Sequence, residues 1–321
     1  MAAYIVRRIL WTIVLLLVVT LVTFLIFYIL PTADPAALRA GKDPSKHLID
    51  AIRHQLHLDE PILQQYGRYV ERLVFHFDFG KSFINQSDVK SLIFDRLKNT
   101  MFLVIGAAII WFFAGCMIGI ISAVFRGRIW DRLLMGGALI AISAPVYWLG
   151  LVALYLFSDD IGVWKIFPGA GAFNDAEGFF NKCWAMVMPW CVLASAFAAI
   201  YARLLRANLL ETLSEDYIRT ARAKGLSERR VVFRHAVRSA ITPIITVLGL
   251  DIGILMGGAI LTETVFSYPG IGSWLQQAIQ DRNYPVIQGG ILFVAIIVVF
   301  VNLLVDVSYA LINPRIRLGN K

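Results

Sequence analysis

Six stretches of this chain are long and apolar enough to cross a bilayer, and nothing else in the sequence constrains its fold as strongly. A spanning helix needs about 20 predominantly apolar residues. The runs are Ile9–Leu30, Met101–Phe125, Leu133–Phe157, Trp184–Leu205, Ile241–Leu261 and Val286–Ile312. Hydrocarbon offers no partner to backbone N–H and C=O groups, so each run is predicted to be helical. Composition agrees. Of 321 residues, 58% are hydrophobic and 16% charged, against about 45–50% and about 25% in soluble domains. One water-soluble core cannot hide that excess. An ordinary cytosolic enzyme, a disordered chain and a disulfide-built secreted domain are excluded, and the predicted class is an all-α integral membrane protein.

The first run follows Arg7 and Arg8 and could pass for a signal peptide. It is longer than the usual apolar core of about 7–15 residues, and Pro31-Thr32-Ala33 is a poor cleavage site. A retained span is the expectation.

Lys and Arg in short connections set orientation, whereas long loops translocate largely regardless of charge. One side carries 17 cations and 5 acids: Arg7, Arg8, Arg126, Arg128, Arg132, the nine cations from Arg203 to Arg238, Arg315, Arg317 and Lys321. The other has Lys165, Lys182 and Arg282 in its short loops and ten more cations in the long 31–98 segment. The net charge of +8 thus resolves into +12 on the first side, −2 on the second, and −2 within spans from Asp251 and Asp306. Both termini are expected in the cytoplasm. The basic balance is a topology signal, and nucleic-acid binding is not expected.

Three regions follow: residues 1–30 with span one, an outer insertion over 31–98, and a five-span core over 99–321 with a cytoplasmic loop over 206–240. The insertion has helix punctuation. Asp43-Pro44 can start a helix before Leu48, Ile49, Ile52 and Leu56. Asp59-Glu60-Pro61 can start another, with Ile62, Tyr66, Tyr69, Val70 and Leu73 on its apolar side. Phe75-His76-Phe77-Asp78-Phe79-Gly80 reads as an aromatic run ending in a turn. His54 and His57 could share a metal, but no third ligand is in view, and a surface helix is the expectation.

The loop between spans four and five is the most informative stretch. The fourth helix should continue through Leu209, Leu210 and Leu213. Ser214 can cap a short helix, Asp216–Lys224, with Glu215 and Asp216 favourable at its start. Gly225 supplies the left-handed position after it and Leu226 the apolar residue that follows. Ser227 can cap the next helix, through Arg229, Arg230, Val231, His235 and Arg238. A helix of about nine residues is marginal alone in water, so it needs a surface to dock on. Thr220, Ala221 and Ala223 are small enough for another backbone to approach, and Arg219, Arg222 and Lys224 offer charge. A basic anchor on anionic lipid is the competing reading.

The block Tyr217-Ile-Arg-Thr-Ala-Arg-Ala-Lys-Gly-Leu226, followed by Arg234-His-Ala-Val-Arg238, resembles the cytoplasmic loop of peptide-class ABC importer permeases. That family serves dipeptide, oligopeptide, nickel and glutathione systems. In the broader importer pattern this is the "EAA" loop, with its glycine at Gly225. Arg219 stands where a glutamate would be, and His235-Ala-Val-Arg238 replaces an Ile-x-Leu-Pro end, departures typical of the peptide-class branch. Tyr4-Ile-Val-Arg-Arg8, Leu56-His-Leu-Asp-Glu-Pro61 with Gln65-Tyr66, and Phe79-Gly-Lys-Ser82 are similar to family blocks. So are Gly257-Gly-Ala259, Thr262-Glu263-Thr-Val-Phe266, Pro269-Gly-Ile-Gly272, Asn302-Leu-Leu-Val-Asp306, Tyr309-Ala310 and Asn313-Pro-Arg315. Together they span nearly the whole chain in order.

The resemblance implies a type I importer permease with six spans, the first of two permease subunits in a heterodimer. It implies two cytoplasmic ATP-binding subunits holding ATP and Mg, and an extracytoplasmic binding protein that delivers substrate. The 214–226 segment would be a coupling helix, with Tyr217, Arg219, Thr220, Ala221, Arg222, Ala223, Lys224, Gly225 and Leu226 meeting the ATPase. The implied location is the inner membrane. This chain has no Gly-x4-Gly-Lys-Ser/Thr loop, so ATP and any other cofactor are expected on partner chains only.

In span five, Gly249, Gly253 and Gly257 fall at i, i+4 and i+8 and form a small-residue stripe. A central Asp such as Asp251 costs about 2.5–3.5 kcal/mol to insert, and each strong apolar residue returns only about 0.3–0.6. That span should face protein or water rather than lipid. It is predicted to line the translocation pathway, with a packing pair for Asp251 as the alternative. Gly115 and Gly119 in span two read as packing glycines. Just outside span five lie Glu263 and Gly270–Gln277, where Trp274, Leu275 and Ile279 suggest a short interfacial helix.

An enzyme is not expected: there is no Gly-x-Ser-x-Gly, no His-Glu-x-x-His and no cysteine motif at Cys116, Cys183 and Cys191. The remaining alternative is a stand-alone secondary carrier or channel, but the paired halves such carriers often show are not visible here.

Overall fold

The computed structural model describes residues 2–29, 36, 39, 45–55 and 57–312, with the backbone alone for 2–5 and 305–312. Asp43-Pro44, Leu56, Pro31–Ala33, the Asp306 side chain and the tail from Asn313 onward lie outside the described residues. Among those described, the regular elements are helices. Four are individually long and apolar enough to span: 6–29, 89–124, 187–213 and 284–304. The number rises to six if each of two bent pairs counts as one span.

The bends are where the structure departs from six straight rods. The third apolar run is two helices, Ile129–Ser143 and Val146–Phe157, at 104° to each other. Pro145 lacks the N–H that would continue the first helix, and its ring forces Ala144 into extended backbone (φ −82°, ψ 127°). The fifth run bends by 46° at Ile241, just before Pro243 in the first turn of Thr242–Leu255. That helix stops at Leu255 rather than Leu261, because Gly258 takes a φ of +107°, a conformation side chains resist.

The chain forms two compact units, Met1–Lys98 with Trp274–Lys321, and Asn99–Ser273. In the first, α1 (Ala2–Phe24) packs along the final helix, Tyr284–Ile312. The expected insertion helices are present as α2 (Lys46–Gln55) and α3 (Ile62–His76). Ser45 caps α2, its Oγ accepting from the Leu48 N–H at 3.2 Å. Tyr69 and Leu73 of α3 are buried as expected, but Ile62 is exposed. Phe24 of α1, fully buried, holds α3 through contacts with Tyr66 and Tyr69. His54 and His57 do not converge. Each turns to its own carboxylate, Asp59 at 2.5 Å and Glu60 at 3.0 Å. The turn after α3 is fastened by Asn283, whose Oδ1 accepts from the Phe83 N–H (3.1 Å) and whose Nδ2 donates to Ser82 Oγ (2.8 Å).

In the second unit α4 (Val89–Val124, from Asn99 on) lies against α9 (Val187–Leu213), the helices between being α5 (Ile129–Ser143), α6 (Val146–Phe157), α7 (Ala172–Asp175) and α8 (Gly178–Ala185). Gly115 and Gly119 do act as packing glycines. A Cβ on either would come within 2.8 Å of a carbonyl oxygen of α9, Ala198 or Ala202. Trp111, Tyr201, Leu205 and Leu209 fill the core between them.

One polar cluster interrupts this apolar seam. Asp131, near the start of α5, is buried and accepts a two-pronged pair from Arg206 of α9 (Nε to Oδ1 and Nη2 to Oδ2, both 2.8 Å). The Gly127 N–H and the Ser122 hydroxyl complete its shell. Breaking a buried pair by removing one partner costs about 3–5 kcal/mol, because the survivor is left uncompensated.

Two substitutions separate packing from composition. Gly119→Ala should lower the thermal midpoint of the detergent-solubilised protein, consistent with an overpacking cost of about 1–3 kcal/mol. Gly136→Ala, whose Cβ meets nothing within 4 Å, should leave it unchanged or raise it. Equal midpoints for the two variants, followed by circular dichroism, would contradict the close approach of α4 and α9.

Candidate functional site

The loop after α9 is built on the same core. Ser214 ends α9 rather than opening the next helix: its hydroxyl donates to the Glu211 carbonyl at 2.6 Å. The N-cap position of α10 (Asp216–Ala223) is held by Glu215 in extended backbone, without a side-chain cap. Ser227 likewise precedes its helix without capping it. The C-terminal end follows expectation. Gly225 has φ +76°, its N–H donates to the Arg222 carbonyl (2.9 Å), and the Leu226 N–H reaches the Ala221 carbonyl (3.4 Å). This pair of bonds is a Schellman motif.

The two faces of α10 have different fates. Ile218 is 0% exposed and Ala221 is buried with it, in the cluster that holds Leu205, Leu209, Val231 and Ala236. Ala221 therefore packs inward and offers no foothold to another chain, contrary to the reading of its small side chain as an open face. Tyr217, Arg219, Thr220, Ala223 and Lys224 point the other way and are exposed. Arg222 is drawn aside by a two-pronged pair with Glu228 (2.7 and 3.3 Å). Arg219 meets only Asp216 at 3.5 Å, a solvent-exposed pair of little energetic weight. A stiff mount on one side thus carries an aromatic and cationic face on the other. Beyond Glu228–Arg230 the chain makes a π-helical turn, Val231–Ala236, whose buried members back α10.

The expected stripe on Thr242–Leu255 is shorter than its spacing implied. Gly249 and Gly253 share the helix, but Gly257 lies beyond its end. Asp251 has a partner: the Tyr201 hydroxyl of α9 donates to its Oδ2 at 2.7 Å. Tyr201 in turn lies against Trp111.

The residue whose importance sequence reasoning missed is Glu263. It is 0% exposed, and a polar network converges on it. Thr100 Oγ1 donates to its Oε1 (3.0 Å) and the Ser273 N–H to its Oε2 (2.8 Å), while Thr100 accepts from the Ile271 N–H. Tyr268 donates its hydroxyl to the Asn99 carbonyl, and Asn99 donates to the Pro269 carbonyl. Gly270 and Gly258 make room, since a Cβ at Gly270 would fall 2.2 Å from the Glu263 carboxyl and one at Gly258 2.6 Å from the Gly272 nitrogen. The segment from Gly257 to Ser273, which holds the short helix Ile260–Val265 and the start of the helix Ile271–Gln280, is therefore folded around a buried carboxyl group. The signal was present: an acid among glycines next to an apolar run has few ways to be satisfied.

Burial pushes the Glu263 carboxyl above the ordinary range, outweighing the Ser273 and Thr100 hydrogen bonds that pull it down. The folded chain then holds this proton more tightly than the unfolded chain. Its contribution to stability is complete below the unfolded value, about 4.3, and is lost as pH rises through the folded one. Glu263→Gln should flatten that decline in thermal midpoint above about pH 5. A wild-type and variant pair declining in parallel would show that another group governs it.

With this geometry in view, likeness to known proteins is informative. Residues 115–318 match the family described as binding-protein-dependent transport system inner membrane component. Residues 1–104 match the N-terminal family of such membrane components. The dipeptide transport system permease protein DppB of Escherichia coli (strain K12) is 38% identical, with 99% of each chain covered. The glutathione transport system permease protein GsiC of the same strain is 39% identical, again over 99% of each. A solved amino acid ABC transporter with histidines aligns at a TM-score of 0.47 and 16% identity, over 70% of this chain and 94% of that one.

Proposed function

The chain belongs to the family of binding-protein-dependent transport system inner membrane components, and from that premise we propose that it forms half of the translocation pathway of a peptide importer. It is a multi-pass inner-membrane permease subunit of an ABC importer, of the type I class, and is not itself catalytic. A stand-alone carrier or channel is not favoured, because its full-length relatives are named as permeases of transport systems.

A second permease subunit completes the pathway, and two ATP-binding subunits supply the energy, holding ATP and Mg. An extracytoplasmic binding protein delivers the cargo, for which peptides, glutathione included, are the class suggested by the relatives' names. Both termini face the cytoplasm, which the +12 charge of the short connections on that side supports. The chain divides functionally into span one (1–30), an outer insertion (31–98) and a core (99–321).

Coupling runs through 214–226. The observation that carries this is the two-faced seating of α10: Ile218 and Ala221 buried, Tyr217, Arg219, Thr220, Ala223 and Lys224 exposed. A short helix pinned this way can pass a push from a docked ATPase to α9. Arg222, Gly225 and Leu226 keep its geometry. Gly249, Asp251, Gly253 and Gly257 form part of the pathway wall, with Asp251 held by Tyr201.

The test is uptake by the reconstituted importer. Ala223→Glu, placed on the exposed face, should leave the chain folded and inserted while abolishing ATP-driven uptake and loosening ATPase copurification. Normal uptake in that variant would refute coupling at α10. Asp251→Asn should lower uptake with assembly unchanged, and unchanged transport and substrate preference would remove Asp251 from the pathway.

A further inference from the structure

The first unit holds a cavity of about 490 Å³ that the transport reading does not use. It lies against the last turns of the first membrane run, at Phe27 and Tyr28, and the first turns of the final helix, at Tyr284 and Gln288. α3, the turn that follows it, the first turn of α4, and Arg39 and Leu58 supply the remaining wall. Its lining combines two chemistries. The buried part includes Tyr69 and Gln288, 8% and 9% exposed. The Gln288 amide lies beside the Tyr69 hydroxyl, yet among the described residues neither the Tyr69 hydroxyl nor the Gln288 Nε2 is seated in hydrogen-bond geometry with a partner. Each such orphan costs about 1–3 kcal/mol when nothing occupies its place. Both can donate, and one acceptor oxygen placed between them would satisfy the two at once.

The exposed part of the lining is cationic. Arg39, Arg72, Lys81 and Lys90 stand against Asp78 and Asp88, a surplus of two positive charges. Lys90 is steadied over the Phe77 ring at 5.7 Å, and Asp78 is already engaged by the Gly80 N–H at 2.8 Å. Buried donors behind a cationic rim call for an anionic, oxygen-rich group. The aromatic residues fit the depth where helix ends meet headgroups, which is where tyrosine is enriched. A phosphate presents several strong acceptor oxygens and one or two charges, the pattern that Arg, Lys and neutral donors bind best.

We propose that this cavity is a phosphate-binding site, taking the phosphodiester of an anionic phospholipid headgroup or a soluble phosphate. Tyr69 and Gln288 donate to the phosphate oxygens, and Arg72, Lys81 and Lys90 neutralise its charge. In the lipid case one headgroup seats between the first and last membrane helices and fixes α3 to them.

The full-length chain, purified in detergent, tests this. It is offered phosphatidylglycerol and analysed by native mass spectrometry, and a lipid-free sample is titrated with radiolabelled inorganic phosphate. Lys81→Glu with Lys90→Glu reverses charge at two exposed positions. Retained phosphatidylglycerol falling about tenfold in that variant is the expected result and identifies a headgroup. Saturable phosphate binding lost in the variant, without lipid retention, also supports the site and identifies a soluble ligand. Gln288→Leu should weaken the same binding from the buried end. Equal retention and equal phosphate binding by wild type and the lysine variant, or no binding of either probe, overturns the proposal.

Discussion

Taking a carboxylate out of water is costly unless hydrogen bonds and charge replace what water supplied. The second unit of this chain is organised around two buried acids that meet this cost differently. Asp131 is met by Arg206, Ser122 and the Gly127 N–H. Glu263 is met by Thr100 and the Ser273 N–H, but burial outweighs these bonds and favours its protonated form. Apolar surface alone gives membrane helices little reason to choose one partner over another. These polar centres provide the choice. Asp131 and Arg206 set α5 on α9 in one register, and Glu263 ties the short helix Ile260–Val265 to Thr100 and to the start of the helix Ile271–Gln280.

Small residues do the complementary work. Gly115 and Gly119 bring α4 within backbone contact of α9, so α9 is gripped along its length by close packing and at Arg206 by charge. The loop helix α10 is mounted where that gripped helix ends. Its inner face joins the core through Ile218 and Ala221, and its outer face stays in water. A helix of this length has no stability of its own to speak of, so its order is borrowed from α9 and from the buried residues of the π-helical turn.

The sequence carried some of these features openly and hid others. Helix existence was legible because hydropathy over about 20 residues is a physical requirement of the solvent. Gly225 was legible because a left-handed helix end is local chemistry. The 104° break was written in the sequence as Pro145, but apolar length alone does not register it. Ala221 was misjudged because small size fits an open face and a tight seam equally well. The Asp131–Arg206 pair was out of reach, since the residues are 75 positions apart and each looks like an ordinary loop charge. Tyr201 as the partner of Asp251 was hidden for the same reason. Glu263 was noticed only as a residue outside a span; what its position demanded is visible once Thr100 and Ser273 stand beside it.

The space around Glu263 has a consequence for how this loop can change over time. A methyl group at residue 270 would occupy the place of the carboxyl itself, and one at residue 258 would strike the backbone at Gly272. Gly270 cannot be replaced while the acid keeps its place, Gly258 is held by the Gly272 backbone whatever stands at 263, and shortening the acid would leave Thr100 and the Ser273 N–H facing a void. Positions 263 and 270 therefore behave as one inherited character. A side chain can enter at 270 only once the acid at 263 has gone, whereas position 258 stays bound to glycine in either case.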